Sequence, residues 1–318
     1  MSDALKKCIE FRHWMHKHAE GERKEFNTQR HLTKALIDVA KIDASAIKPC
    51  AGTGLVVDIR GTKNIQSKKE VIKSIALRAD IDGLKMKEDN AGLEYASITE
   101  YAHMCGHDGH SATLLFAACL IQSQRHLLPK DTIVRLLFQP DEETLGGAEL
   151  MIKEGCLNGI QEVYGFHNTD LFAAGLVGLK SGPIMQSIAD IVIRVKGKGA
   201  HSSCPTMAKD VISAGAAIVQ NLHLVQSRHV PSHENFCLTI TKFHGGDCNN
   251  VFPDDATLEG TIRCFSNEVY QNATAKIREI VKESVSMLGC TAEVEFNAYR
   301  PAVVNHAKQT EDVRQLVK

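Results

Sequence analysis

No stretch of this sequence approaches the roughly 20 consecutive apolar residues that a membrane-spanning helix needs, which speaks against a helical membrane protein. An excess of charge of either sign is also missing. Lys and Arg total 37 against 38 Asp and Glu, a net charge of −1, so the electrostatic footprint of a nucleic-acid or membrane-surface protein is absent. A small molecule is the expected partner. Met1 to Lys7 is polar and lacks the apolar run of a secretion signal, and the expected location is cytoplasmic. The ten cysteines (8, 50, 105, 119, 156, 204, 237, 248, 264 and 290) form no tight framework, and a chain of 318 residues does not need disulfides to stay folded. Most read as buried, reduced thiols. Aromatic residues are sparse, with a single Trp, and reveal nothing of a substrate pocket's walls. No repeat, low-complexity tract or long linker interrupts the chain, whose length predicts two domains.

What is present is concentrated in His103-Met104-Cys105-Gly106-His107-Asp108-Gly109-His110, with one thiol, three imidazoles and a carboxylate in eight residues. Borderline-soft divalent metals such as zinc take thiolate sulfur and imidazole nitrogen, and the glycines let the backbone turn closely about an ion. The stretch looks like half of a metal site. A turn that merely holds polar residues is the alternative, and context decides between them.

Hydrophobic period supplies the context. Leu5 to Ala19 and Gln29 to Ala40 carry apolar residues at helical spacing, while residues 54–59 and 74–79 are strand-like. Ser111 to Gln124 predicts an apolar helix, Thr132 to Phe138 a strand, Gly146 to Cys156 a helix and Val163 to Phe166 a strand. This alternation predicts an α/β domain with a mostly parallel sheet. Asp80 and Asp82 then follow one strand, Glu142 and Glu143 another, and His167 a third. In open α/β sheets ligands bind at the carboxyl ends of strands, so these groups are expected to converge with Cys105 and His107 on one crevice. Each alone has a plainer reading, since an acidic pair is ordinarily solvated and a strand-end histidine ordinarily hydrogen-bonded.

After Ser181-Gly182-Pro183 the pattern changes to strand (Ala189 to Lys196), helix (Met207 to Arg228), strand (Phe236 to Phe243), strand (Ala256 to Cys264), helix (Asn267 to Leu288) and strand (Thr291 to Asn297). That βαββαβ order predicts an inserted ferredoxin-like α+β domain. The expected division is a first catalytic part over residues 1–183, the inserted domain over 184–298, and the start of a returning catalytic segment over 299–318.

These residues carry a family resemblance. Ordered motifs run along nearly the whole chain: Arg12 to Glu20, Leu77 to Asp82, His103 to His110, Phe138 to Glu143, Gly165-Phe166-His167, Gly197 to His201, Asn250 to Pro253, and Gly260 to Arg263. The chain resembles the two-domain, zinc-peptidase-like, metal-dependent amidohydrolases and peptidases: aminoacylases, carboxypeptidase G-type enzymes, hippurate hydrolases and indole-acetyl-amino-acid hydrolases, above all the last two. The resemblance implies a catalytic α/β domain carrying an inserted lid that forms homodimers, and hydrolysis of the amide bond of N-acyl, N-aroyl or indole-acetyl amino acids.

Position by position, the resemblance makes Cys105, His107, Glu143 and His167 ligands of two divalent metal ions, zinc or manganese. Glu142 becomes the general base that moves protons between water and the leaving nitrogen. Asp82 orients a ligand from outside the donor set, and Asp80 stands where other relatives use a ligating histidine, for which Cys105 compensates. His201 is the lid residue that stabilises the oxyanion, and Asn250 and Arg263 are candidates for holding the substrate's carbonyl or carboxylate. His110 is expected to hydrogen-bond locally, and His103 has no assigned part. Relatives continue to a last ligating histidine that nothing after Tyr299 matches. A truncated chain with an incomplete second metal site is therefore expected, and the alternative function is that of an inactive relative serving as a dimerisation or binding protein.

Overall fold

The computed structural model describes residues 3–64, 74–90, 92–144 and 146–317, and the chain divides into two compact units, Met1–Ala173 and Ala174–Lys318. The first unit begins with helices α1 (Asp3–Lys17) and α2 (Phe26–Asp38), followed by strands β1 (Ile47–Cys50), β2 (Gly54–Arg60) and β3 (Ile75–Asp80). Helix α3 (His107–Gln124), β4 (Ile133–Gln139), α4 (Gly147–Lys153) and β5 (Glu162–Gly165) complete it. The strands form one sheet in the order β1-β2-β4-β3-β5.

The α/β class holds, but the sheet is mixed where a mostly parallel one was expected. β3 pairs in parallel with both β4 and β5, whereas β1 to β2 and β2 to β4 are antiparallel. The cause is local. Cys50 pairs directly with Gly54, and the three residues between them turn through Ala51 and Gly52, both with positive φ. So short a connection can join only antiparallel strands.

Alternation along the strands sorts the core into two layers. Leu55, Val57 and Ile59 of β2 and Val134, Leu136 and Phe138 of β4 face Phe11 and Met15 of α1, Leu32 and Leu36 of α2, and Leu115 and Ala118 of α3. Ala76 and Leu137 point the other way, onto Met151 of α4 and Cys156. The outward-turned Asp58 and Arg135 are register partners. Arg135 donates to both carboxylate oxygens of Asp58, at 2.7 and 2.9 Å, in the bidentate geometry suited to a guanidinium.

The second unit comprises β6 (Gly182–Met185), β7 (Ile188–Lys196), β8 (Ala200–His201), α5 (Val211–Leu224), β9 (Phe236–His244), β10 (Val251–Phe252), β11 (Asp255–Cys264), α6 (Asn267–Ser286), β12 (Thr291–Arg300), β13 (Val303–Asn305) and α7 (Ala307–Leu316). Its main sheet has the order β12-β7-β11-β9 with every pairing antiparallel, which is the ferredoxin-like arrangement. Ile191, Ile193 and Val195 are buried, alternate with the less buried Asp190, Val192 and Arg194, and meet Ala214 and Ile218 of α5 and Ile277 and Val281 of α6. Each helix starts at a side-chain cap: Asp210 accepts from the main-chain N–H of Ile212 and Ser213, and Ser266 from that of Val269. β6 pairs with β13, and β8 with β10. Among the described residues no helix is long and apolar enough to cross a membrane.

Candidate metal centre

The position of β3 between β4 and β5, parallel to both, brings three strand ends together. Asp80 ends β3 and Asp82 lies just beyond it; Glu142 and Glu143 come after β4; His167 comes after β5; and Cys105 and His107 lie at the start of α3. The turn after β4 is sharp. Asp141 has φ 52°, a left-handed conformation that Asp tolerates better than most residues, and its carbonyl accepts from the N–H of Gly146 and Gly147. A side chain on Gly147 would collide with the Pro140 carbonyl, so only glycine lets the chain double back here.

Asp82 is the organiser. Its main-chain oxygen and Oδ1 lie 2.8 and 3.2 Å from His107 Nδ1, while its Oδ2 accepts from the Glu143 N–H at 3.0 Å. With Nδ1 turned to Asp82, His107 presents Nε2 as the nitrogen that a metal ion would take in exchange for its proton. His107 Nε2 and Glu143 Oε1 are 3.7 Å apart, and both are buried without a hydrogen-bond partner. Two orphaned donor atoms side by side are costly unless something binds them. Cys105 Sγ and His167 Nε2 lie 3.4 Å apart, and His107 joins one close group with these two and another with Glu142 and Glu143. Thiolate, imidazole and carboxylate around buried orphan atoms fit a divalent metal ion.

Electrostatics point the same way. Burial pulls the His107 imidazole down, but the bonds to Asp82 and Cys105 and the charges of Asp80 and Asp82 hold it up at about 11. His167 is raised to about 9 by its contact with Cys105, and the Cys105 thiol is lowered by His107 and His167. Burial raises the Glu142 carboxyl above its ordinary value, and burial with the neighbouring Glu142 charge raises Glu143. A cluster that holds protons where ligands should sit is one in which a cation can replace them.

Asp80 forms a third close group with His107 and His110, its Oδ2 lying 3.6 Å from His107 Nε2, and both its oxygens are also hydrogen-bonded. Its Oδ2 accepts from Arg78 Nη1 at 2.6 Å and its Oδ1 from His110 Nδ1 at 2.7 Å. The other His110 nitrogen lies 2.6 Å from Asn168 Oδ1 and 3.0 Å from the Asn168 main-chain nitrogen, so His110 has hydrogen-bond partners at both ring nitrogens. Asn168 had no signal in the sequence. It also packs on Gly106, where a Cβ would come within 2.3 Å of its Nδ2.

A family model, peptidase family M20/M25/M40, matches residues 76–318, from the start of β3 through the second unit. The chain belongs to this family. Within M20/M25/M40, N-acetylcysteine deacetylase of Bacillus subtilis (strain 168) is 34% identical over 302 residues, 94% of this chain and 76% of that protein. An IAA-amino acid hydrolase of Arabidopsis thaliana is 32% identical over 92% of this chain and 65% of its own length. Among solved structures, a dinuclear metal-binding peptidase of the M20 family from Bacillus subtilis matches with a TM-score of 0.83 at 29% identity, covering 99% of this chain and 79% of that one.

The remaining candidates of this M20/M25/M40 chain lie in its second unit. His201 of β8 is the register partner of Val251, and Ser202 N–H donates to the Asn250 carbonyl at 2.9 Å, so His201 and Asn250 are neighbours. His201 Nδ1 accepts from the Ser203 N–H at 3.2 Å, which leaves Nε2 as its donor. Arg263 is not with them. It stands opposite Cys237 near the far end of β11 from Asp255, about 27 Å along the strand.

Proposed function

We propose that this chain hydrolyses the amide bond of N-acyl or N-aroyl amino acids, indole-acetyl conjugates included, releasing a carboxylic acid and a free amino acid. The observation that carries the reading is Asp82 holding both His107 and Glu143 so that Nε2 and Oε1 meet unpaired beside Glu142. Cys105, His107, Glu143 and His167 would hold two divalent ions, zinc or manganese. When bound, these supply the Lewis acidity that activates water and polarises the carbonyl.

The chain's own groups do the rest. Glu142 takes a proton from the attacking water as the C–O bond forms, and returns a proton to the nitrogen as the C–N bond breaks. Burial raises its affinity for protons, the direction wanted of a group that must donate a proton as well as accept one. Asp82 keeps His107 in the tautomer a ligand needs. His201, donating from Nε2, is assigned to the oxyanion and Asn250 to the substrate's carbonyl. Arg263, which this chain does not bring beside them, could hold the carboxylate of the same substrate only from another subunit.

With zinc or manganese added, the protein is expected to release amino acid from N-acetyl and N-benzoyl amino acids. Glu142→Gln should lower turnover by about 10²- to 10⁴-fold with metal content retained. Undiminished turnover would remove Glu142 from the role of base. The homodimer is assigned to the ferredoxin-like unit, whose edge strands β9 and β12 each pair on one side only within the main sheet. A monomer mass in sedimentation equilibrium at micromolar concentration would refute it.

A further inference from the structure

Helix α3 carries His107 as its first residue and starts without a side-chain cap. The preceding residue is Gly106, at φ 83°. Glycine leaves such an entry conformationally permissive. An anchor is found one residue further on. Asp108, 1% exposed, accepts from Arg12 Nε at 3.0 Å, and the same oxygen lies 3.0 Å from His16 Nδ1. Arg12 and His16 stand one turn apart on α1. The other nitrogen of His16 lies 3.3 Å from Glu88 Oε1, and Glu88 Oε2 accepts from the Ser97 N–H at 2.6 Å. A run of polar groups thus ties α1 and the 84–102 segment to the first turn of α3.

None of these groups belongs to the donor set around His107. Stability alone accounts for them poorly, because buried charge networks replaced by well-packed apolar residues often leave a protein as stable or more so. What such a network supplies is position. Consecutive residues are pinned from different elements: His107 by Asp82, beyond the end of β3, and Asp108 by Arg12 and His16 on α1.

We propose that Arg12, His16 and Asp108 form a positioning network that sets the first turn of α3, and with it Cys105 and His107, in the geometry that binds metal. The inference rests on Cys105 and His107 being ligands. Its test is titration of the metal-free full chain with Zn²⁺ against a chromophoric chelator, together with the thiolate-to-metal charge-transfer band on adding Co²⁺.

Asp108→Asn and His16→Leu should weaken metal binding by about 10- to 100-fold and diminish the charge-transfer band, as loss of partners outside the donor set commonly does. His16→Asn, whose amide nitrogen falls near the place of Nδ1, should recover most of the affinity. Should His16→Leu not fold, Arg12→Ala decides, since the Arg12 side chain is 43% exposed and its removal leaves no buried void. Wild-type affinity in Arg12→Ala and Asp108→Asn, or no recovery in His16→Asn, overturns the positioning role alone. A wild-type chain that binds neither Zn²⁺ nor Co²⁺ overturns the metal centre and this network with it.

Discussion

Replacing Asp82 by alanine is the most direct perturbation of the centre, because one carboxylate serves two proposed ligands. The change removes the contact between Oδ1 and His107 Nδ1 at 3.2 Å and the bond from the Glu143 N–H to Oδ2 at 3.0 Å. His107 retains a shorter bond, 2.8 Å, to the main-chain oxygen of residue 82, so its tautomer survives. The full loss falls on Glu143. A hydrogen bond to a charged group contributes about 1.5–3 kcal/mol. At about 1.4 kcal/mol per factor of ten, metal affinity should fall by roughly 10- to 150-fold. Competition for Zn²⁺ with a chromophoric chelator at fixed pH measures this. Asp58→Ala is the control, since it deletes a half-buried carboxylate that pairs with Arg135 and not with the donor set. Wild-type affinity in Asp82→Ala, or an equal loss in Asp58→Ala, would refute the reasoning.

Metal binding should release protons at pH 7. His107, held up at about 11, and His167, at about 9, are protonated there in the metal-free chain, and only neutral imidazole ligates. Because both values are raised, affinity should climb as pH rises through about 9 and on toward about 11. Binding heats that do not vary with the ionisation enthalpy of the buffer would contradict this. Cys105→Ser should remove the soft ligand and empty the centre after dialysis, and full zinc occupancy in that variant, measured by plasma emission, would exclude the thiolate from the donor set.

Much of the first unit was legible because β2, β3, β4 and α3 are long apolar runs whose period is unambiguous. β1 was not, since Ile47-Lys48-Pro49-Cys50 has little apolar character and contains a proline, which suits only an edge strand. That strand and its hairpin, set by left-handed residues at 51 and 52, together with the antiparallel pairing of β2 on β4, make the expected mostly parallel sheet a mixed one. The helix expected from Met207 begins at Val211, because Pro205–Met207 forms a separate 3₁₀ turn and Asp210 caps α5 itself. Two-residue ladders such as β8 with β10 are too short to have a period at all.

The convergence of Asp80, Asp82, Glu142, Glu143 and His167 with Cys105 and His107 could be read from strand ends, which depend on element order alone. The choice of ligands among them came from the family resemblance. Asp82 reaching the Glu143 N–H could be read from neither, for that contact depends on the left-handed turn at Asp141. Likewise Arg12 and His16 share a helix face in any reading, but only packing of α1 near the start of α3 shows that they meet Asp108.

The donors around His107 come from segments far apart in the chain; Cys105 and His167, in contact, are 62 residues apart. An unfolded chain keeps only local pairs such as Cys105 and His107 together, so most of the free energy of binding would be added to the folding of Met1–Ala173. At a free metal concentration 100 times the dissociation constant that addition is about 2.7 kcal/mol. None of it is added directly to the ferredoxin-like core, whose buried residues supply no donor to the set. With the proposed centre loaded, metal supply would act as a selective control over how long Met1–Ala173 resists unfolding and proteolysis.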